Sequence, residues 1–287
     1  MKETIGFIGQ GWVGSAYAKE FEERGYAVVR YSLDPQFAGN RERIAACDIV
    51  FIAVPTPTTT QGGFDGSIVE SVLPLVGEGK IAVVKSTLLP GTTEALQEQM
   101  PDRIVLFAPE FLRTASAEYD AANPTRTIIG LPKDTEAHRR AAERVLAILP
   151  TAPHVRIMES RAAEVVKYAG NVFLALKVVY ANLLYDLTRE LGLEYEPVRE
   201  ALAADPRIGP SHLNPIDASG HTNVPGRGVG GHCLIKDLEA FRLLYDKLGD
   251  EPGAAFLAAF VRKNNDLLTR SGKDLDLLAG VYGDHMP

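Results

Sequence analysis

Short apolar runs alternate with polar, glycine- and proline-marked turns through the first 110 residues, and a helical rhythm replaces them from about residue 160. The runs at 4–8, 26–31, 48–54, 80–85 and 104–108 read as strands, that at 48–54 as a buried one. Amphipathic stretches at 15–24, 68–76 and from Pro90 to about Met100 read as the helices between them. Strands alternating with helices imply a mostly parallel sheet. The expected fold is α/β: a doubly wound Rossmann domain over 1–150, then an all-α domain over 151–287 built on one long central helix. That helix runs proline-free from 159 or 160 to about 191, with Gly192 placed to cap it. Its apolar residues (Val165, Val172, Phe173, Leu176, Val179, Leu183 among them) surround much of the axis. Burial on several sides is expected, between two subunits of a homodimer. Further helices are expected at 234–248 and 253–269, with a short tail to Pro287.

Composition narrows the classes. A chain of 287 residues with 46% hydrophobic content suits about two globular domains. A net charge of −7 without a basic run argues against nucleic acid as a partner. Two distant cysteines give no disulfide framework and suit a reducing cytoplasm. No apolar run approaches a membrane span, and the start has no apolar leader segment.

The first chemical motif is Gly9-Gln-Gly11-Trp12-Val13-Gly14, directly after the first strand and opening the first helix. In that context the glycines permit a tight turn, close approach of a pyrophosphate and close helix–strand packing, and the helix N-terminus attracts the phosphates. An acidic residue ending the second strand normally holds the ribose of NAD. Here Ser32 stands at that end, with Asp34 two residues later and Arg30 two before. Asp34 either takes the ribose or starts the Asp34-Pro35 turn. NAD is favoured, with NADP left open because Ser32 and Arg30 would tolerate a 2′-phosphate. Pro55, Thr56, Thr87 and Glu110 fall at carboxyl ends of strands, where ligands of such sheets bind.

The second motif is Gly226-Arg-Gly-Val-Gly-Gly-His-Cys-Leu-Ile-Lys-Asp237. A lone cysteine is usually structural. Glycines before Cys233, and Lys236 and Asp237 after it near a helix N-terminus, instead point to a thiolate nucleophile. On the long helix Lys167 and Asn171, four apart, share one face; the lysine there is either snorkelling or functional.

Taken in order, these motifs with Val54-Pro-Thr-Pro57, Lys85-Ser-Thr87, Pro90-Gly-Thr-Thr93, Ala108-Pro-Glu-Phe-Leu-Arg113, Glu164-x-x-Lys167-Tyr-x-x-Asn171 and Arg207-Ile-Gly209 make the chain similar to the nucleotide-sugar 6-dehydrogenase (UDP-glucose/GDP-mannose dehydrogenase) family, from about residue 4 to 265. The resemblance implies a four-electron oxidation of a primary alcohol to a carboxylate, using two NAD(P)⁺ and no metal. Cys233 would carry thiohemiacetal and thioester, and Asp237 would help remove the alcohol proton. Glu110 would activate the hydrolytic water, while Lys167 and Asn171 would stabilise the oxyanion. Thr87 would hold water or carbonyl oxygen, and Lys236 would meet the cofactor. Phe111, Leu112, Arg113, His212, Asn214 and Gly230 are implied as substrate contacts, and Arg207 as a contact to a substrate in the neighbouring subunit.

The departures from the family are local. Thr114 stands where many members have a second glutamate, and the connection from the second strand to Asp48 is too short for a helical segment usual there. The stretch 216–226 looks longer than usual, with His221 read as a solvated loop residue. The family's further nucleotide-gripping domain has no room in these 287 residues, so the expectation is a fragment, a partner that supplies the domain, or a substrate smaller than a full nucleotide-sugar. Two other classes stay in view: a two-electron β-hydroxyacid dehydrogenase of the 6-phosphogluconate type, and a non-catalytic cofactor-binding relative.

Overall fold

A computed structural model describes residues 2–283. The chain begins β1 (Thr4–Ile8), α1 (Trp12–Glu23), β2 (Ala27–Tyr31), the one-turn helices α2 (Pro35–Ala38) and α3 (Arg41–Ile44), and β3 (Ile49–Ile52). A small hairpin follows, β4 (Thr58–Thr59) and β5 (Gly63–Phe64), then α4 (Ser67–Val72), β6 (Ile81–Val84), α5 (Thr92–Gln99) and β7 (Ile104–Phe107). Next come α6 (Ala117–Ala122), β8 (Arg126–Leu131), α7 (Glu136–Ile148), β9 (His154–Glu159) and the long α8 (Ser160–Glu190). The remainder is α9 (Tyr195–Ala203), the hairpin β10 (Ile216–Asp217) and β11 (Gly226–Arg227), α10 (His232–Leu248), α11 (Glu251–Ser271) and α12 (Leu275–Tyr282).

Two compact units result. The first holds residues up to Thr56 and Asp65–Lys167; the second holds Pro57–Phe64 and the chain from Tyr168 on. The boundary falls inside α8.

The first unit is a Rossmann-like layer structure around a seven-stranded sheet of order β2-β1-β3-β6-β7-β8-β9, parallel except where β8 runs against β7. β3 and β6 are buried at every position, which is why they read as unbroken apolar runs. Phe7 stacks on Phe51 with centroids 5.0 Å apart, and Phe21 of α1 closes edge-on over Phe7 at 5.6 Å, fixing the first helix on the sheet. Chain order reverses between β1 and β3, so the carboxyl ends of these strands form the switch-point crevice. Glu164 of α8 caps α5: its carboxylate accepts the N–H of Gly91 (2.6 Å) and the N–H and hydroxyl of Thr93 (2.8 and 2.6 Å).

The second unit is helical, with Val179 of α8, Ile235 and Leu238 of α10, Phe260 and Leu268 of α11, and Leu278 of α12 in its core. The segment Pro57–Phe64 forms the β4–β5 hairpin and packs on α10 and α12, with Thr60 N–H donating to Val281 O at 2.9 Å. Three local expectations change. The region after β2 holds two one-turn helices rather than none. α10 begins at His232 instead of 234, because Gly231 (φ 86°) is its N-cap. The tail after 269 continues α11 to Ser271 and, past Gly272, forms α12, whose Leu275, Leu278 and Tyr282 repeat at helical spacing. Among the described residues no helix is long and apolar enough to cross a membrane.

Candidate active site

The glycine turn after β1 is shaped for a ligand. Gly9 takes φ 91° and donates its N–H to Tyr31 O at 2.8 Å. A Cβ on Gly14 would lie 1.9 Å from Gly9 O, so this third glycine is required by the turn itself. A Cβ on Gly11 would meet nothing within 4 Å. The open space is therefore at the N-cap of α1, where a pyrophosphate would sit, and the residues present fit a dinucleotide. Trp12 is exposed beside it, while Val13 packs on the core. Of the two roles weighed for Asp34, the turn is the one observed: Oδ1 accepts Gln36 N–H at 3.0 Å and caps α2. Ser32 Oγ accepts Asp34 N–H at 3.2 Å. Arg30 is clasped by both oxygens of Glu22 at 2.8 and 2.5 Å.

At the neighbouring strand ends Ser86 Oγ ties β6 to β3, accepting Val54 N–H at 2.9 Å and donating to Val54 O at 2.7 Å. This sets Pro55 (exposed), Thr56 (buried) and Thr87 (half-buried) along one edge. Past β7, Glu110 is buried. Its Oε1 accepts Lys167 Nζ at 2.7 Å, its carbonyl accepts the same ammonium at 2.8 Å, and its Oε2 accepts Leu112 N–H at 2.7 Å. Lys167 is thus engaged rather than snorkelling, in a buried charged pair with three directed bonds. A second buried cation was not foreseen. Lys85 sits 3.9 Å above the Tyr17 ring and donates to Ala108 O at 3.3 Å. Burial pushes its pKa down to about 8, opposed by the charge of Glu110. Arg113 makes a two-pronged pair with Asp120 at 3.0 and 2.6 Å, and its guanidinium holds the Asp120 carboxyl down at about 2.

In the second unit Cys233 is exposed in the first turn of α10, where the helix N-terminus favours a thiolate. Asp237 lies four residues on, on the same helical face, and is fully buried. Asn171 Nδ2 donates to its Oδ2 at 2.6 Å and Lys236 Nζ to its Oδ1 at 2.6 Å, so both carboxylate oxygens are held.

The segment before Cys233 is gripped by side chains far along the chain. Asn264 brackets Val229, accepting its N–H at 2.7 Å and donating to its carbonyl at 3.2 Å. Lys273 Nζ donates to Gly228 O at 2.9 Å, and Asp274 accepts Gly231 N–H at 2.8 Å. A Cβ on Gly230 would fall 2.1 Å from Asp274 Oδ2. The close approach that demands glycine here comes from the protein's own side chains. Asn264, Lys273 and Asp274 carry no sequence signal for this role, since nothing local marks a partner some 35 to 45 residues away.

Other expected contacts are placed less centrally. Arg207 is 87% exposed at its side chain and pairs with Asp205 at 2.5 Å. His212 (φ 63°) and Asn214 flank Leu213, whose carbonyl accepts the Tyr195 hydroxyl at 2.8 Å. His221 is not simply solvated: its Nε2 lies 2.7 Å from Asp276 Oδ2, and its ring meets His232 edge-on at 4.5 Å.

In the first unit a switch-point crevice with an open glycine cradle defines a dinucleotide-binding architecture. The model of the UDP-glucose/GDP-mannose dehydrogenase family NAD binding domain matches residues 36–149, and that of the family's central domain matches 161–266. A UDP-glucose dehydrogenase structure from Pyrobaculum islandicum superposes with a TM-score of 0.77 at 32% identity, covering 93% of this chain and 68% of that one. The chain belongs to the UDP-glucose/GDP-mannose dehydrogenase family. UDP-glucose 6-dehydrogenase AglM of Haloferax volcanii is 28% identical over 86% of this chain, and the UDP-glucose 6-dehydrogenase of Pseudomonas aeruginosa is 34% identical over 69%. This chain spans 66% and 45% of the lengths of those two relatives.

Proposed function

We propose that the protein oxidises the C6 alcohol of a nucleotide-sugar, or of a smaller relative, to the carboxylate in two NAD-dependent steps through a covalent Cys233 intermediate. The observation that carries this reading is Cys233 in the first turn of α10 with buried Asp237 one turn later, both carboxylate oxygens held by Asn171 and Lys236. A two-electron alcohol dehydrogenase has no use for a nucleophile at that place.

Bound at the Gly9–Gly14 turn, NAD would accept a hydride in each oxidation. Asp237, through a water, takes the alcohol proton as the aldehyde forms. The Cys233 thiolate adds to the aldehyde carbon, giving a thiohemiacetal whose oxyanion Lys167 and Asn171 stabilise. Loss of a second hydride leaves the thioester. Glu110 removes a proton from water attacking that carbonyl, the C–S bond breaks, and carboxylate and thiol are released. Thr87 holds water or carbonyl oxygen at the strand end. Lys236 would contact the cofactor, and Phe111, Leu112, Arg113, His212, Asn214 and the Gly230 backbone would serve the sugar. The chemistry needs Cys233 reduced, which suits a reducing compartment such as the cytoplasm. NAD is preferred over NADP because Arg30 is already clasped by Glu22.

A homodimer is part of the same proposal. Phe173, Tyr180, Leu183, Leu187 and Leu191 form an exposed apolar stripe down α8, with Phe173 62% and Leu191 63% exposed. Arg207, largely in solvent, would reach the substrate of the second copy.

The test is the number of NADH formed per substrate consumed, with UDP-glucose, other UDP- and GDP-sugars and free sugar alcohols. Two NADH with a carboxylate product, blocked or stalled by Cys233→Ser, are expected. One NADH per substrate, insensitive to Cys233→Ser, would establish the β-hydroxyacid type of reaction instead.

A further inference from the structure

A cavity of about 300 Å³ opens in the first unit between α1, α6 and the start of β8, lined by Tyr17, Phe111, Arg113, Asp120, Thr125 and Arg126 among others. Two of these side chains offer donors to the cavity. Tyr17 is only 7% exposed, but its hydroxyl is not one of the buried polar atoms left without a partner, so it meets the open space of the cavity. Burial and the charges of Glu110, Glu20 and Asp120 push its pKa up, so it is a hydroxyl donor at any ordinary pH. Arg126, exposed at the start of β8, stacks on Phe111 with Cζ 3.9 Å from the ring centroid and makes no ion pair among the described residues. Partial desolvation against the ring lowers its pKa. Asp120 cannot serve, because Arg113 N–H, the Arg113 guanidinium and Ser116 Oγ already occupy its oxygens.

We propose that this cavity is an oxyanion site for a phosphoryl group, bound by the Arg126 guanidinium with the Tyr17 and Thr125 hydroxyls as further donors. A planar fork with a free edge and neighbouring hydroxyls suits tetrahedral oxygens better than any neutral ligand. Phe111 links the cavity to the catalytic cluster. Lys167 Nζ lies 5.7 Å from the ring that Arg126 covers, so the two cations are within about 10 Å of each other. The group bound is either the phosphate of the substrate itself, in which case the inference rests on the function proposed above, or a free phosphate acting as an effector.

The probes are inorganic phosphate and pyrophosphate, titrated calorimetrically into the intact protein at low salt, with NADH binding followed separately by fluorescence. Saturable binding is expected, weakened about tenfold or more in Arg126→Gln and roughly three- to tenfold in Tyr17→Phe, with NADH affinity unchanged. Tyr17→Phe keeps the ring under Lys85 and removes only the donor. In the wild-type protein phosphate should also protect Arg126 from phenylglyoxal, read by mass spectrometry, which needs no variant to fold. Competition between phosphate and UDP-glucose assigns the site to the substrate; independent binding assigns it to an effector. No saturable phosphate binding, or equal affinity in both variants, overturns the proposal. None of these readouts depends on turnover, so they stand apart from the NADH count that tests the reaction.

Discussion

Replacing Gly230 by alanine asks why glycine stands there at all. The new Cβ would lie 2.1 Å from Asp274 Oδ2, 2.8 Å from Lys273 Cε and 3.0 Å from Ser219 Cβ. The Lys273 chain can swing aside. The Asp274 carboxylate is buried and holds Gly231 N–H at 2.8 Å, so either that bond breaks or the backbone shifts. Losing a hydrogen bond to a buried charge costs about 1.5–3 kcal/mol. Residual overpacking adds about 1–3 kcal/mol. A loss of roughly 3–5 kcal/mol is expected, read as a lower urea midpoint at unchanged slope. Asp274→Ala alone should cost about 2 kcal/mol, and in the double variant the methyl fills space the carboxylate vacated. The two losses should then sum to at least about 1 kcal/mol more than the double variant shows. Additivity within about 0.5 kcal/mol would refute the steric reasoning. Full stability with only a raised KM would return Gly230 to the role of admitting a ligand.

Two further predictions concern the first unit. Gly11→Ala should keep its melting temperature within about 2 °C while losing most affinity for NADH, since its Cβ meets only the space a pyrophosphate would fill; Gly14→Ala, 1.9 Å from Gly9 O, should lose both fold and binding. The pH dependence of stability should carry the mark of Lys85. Its folded pKa of about 8 lies below its unfolded value, so below pH 8 both states are charged and burial of the charge costs up to about 3 kcal/mol. Between about pH 8 and 10.5 the unfolded chain holds more protons, and this contribution to stability rises with pH. Lys85→Met should lack that rise, so the wild-type profile should gain on the variant's between about pH 8 and 10.5; parallel profiles would show that folding leaves the Lys85 pKa unshifted.

Much of the architecture follows from neighbours close in sequence. The runs that became β1, β2, β3, β6 and β7, the Gly9–Gly14 turn and α8 (Ser160–Glu190) were legible because strand alternation, helix periodicity and glycine turns are set by residues two to four apart. Cys233 and Asp237 on one face of α10, and Lys167 with Asn171 on α8, follow from the same four-residue spacing. Tertiary structure decided who meets these groups. Lys167 was even between snorkelling and function until Glu110, 57 residues away, supplied its partner. Asp34 was read as a ribose ligand or a turn former, and the fold shows its Oδ1 capping α2. The glycines before Cys233 suggested approach of a ligand, and Lys273 and Asp274 fill that space from 43 to 47 residues on. No local pattern encodes such pairings: a side chain's period along the chain states which way it faces, and only the packed fold states what it faces.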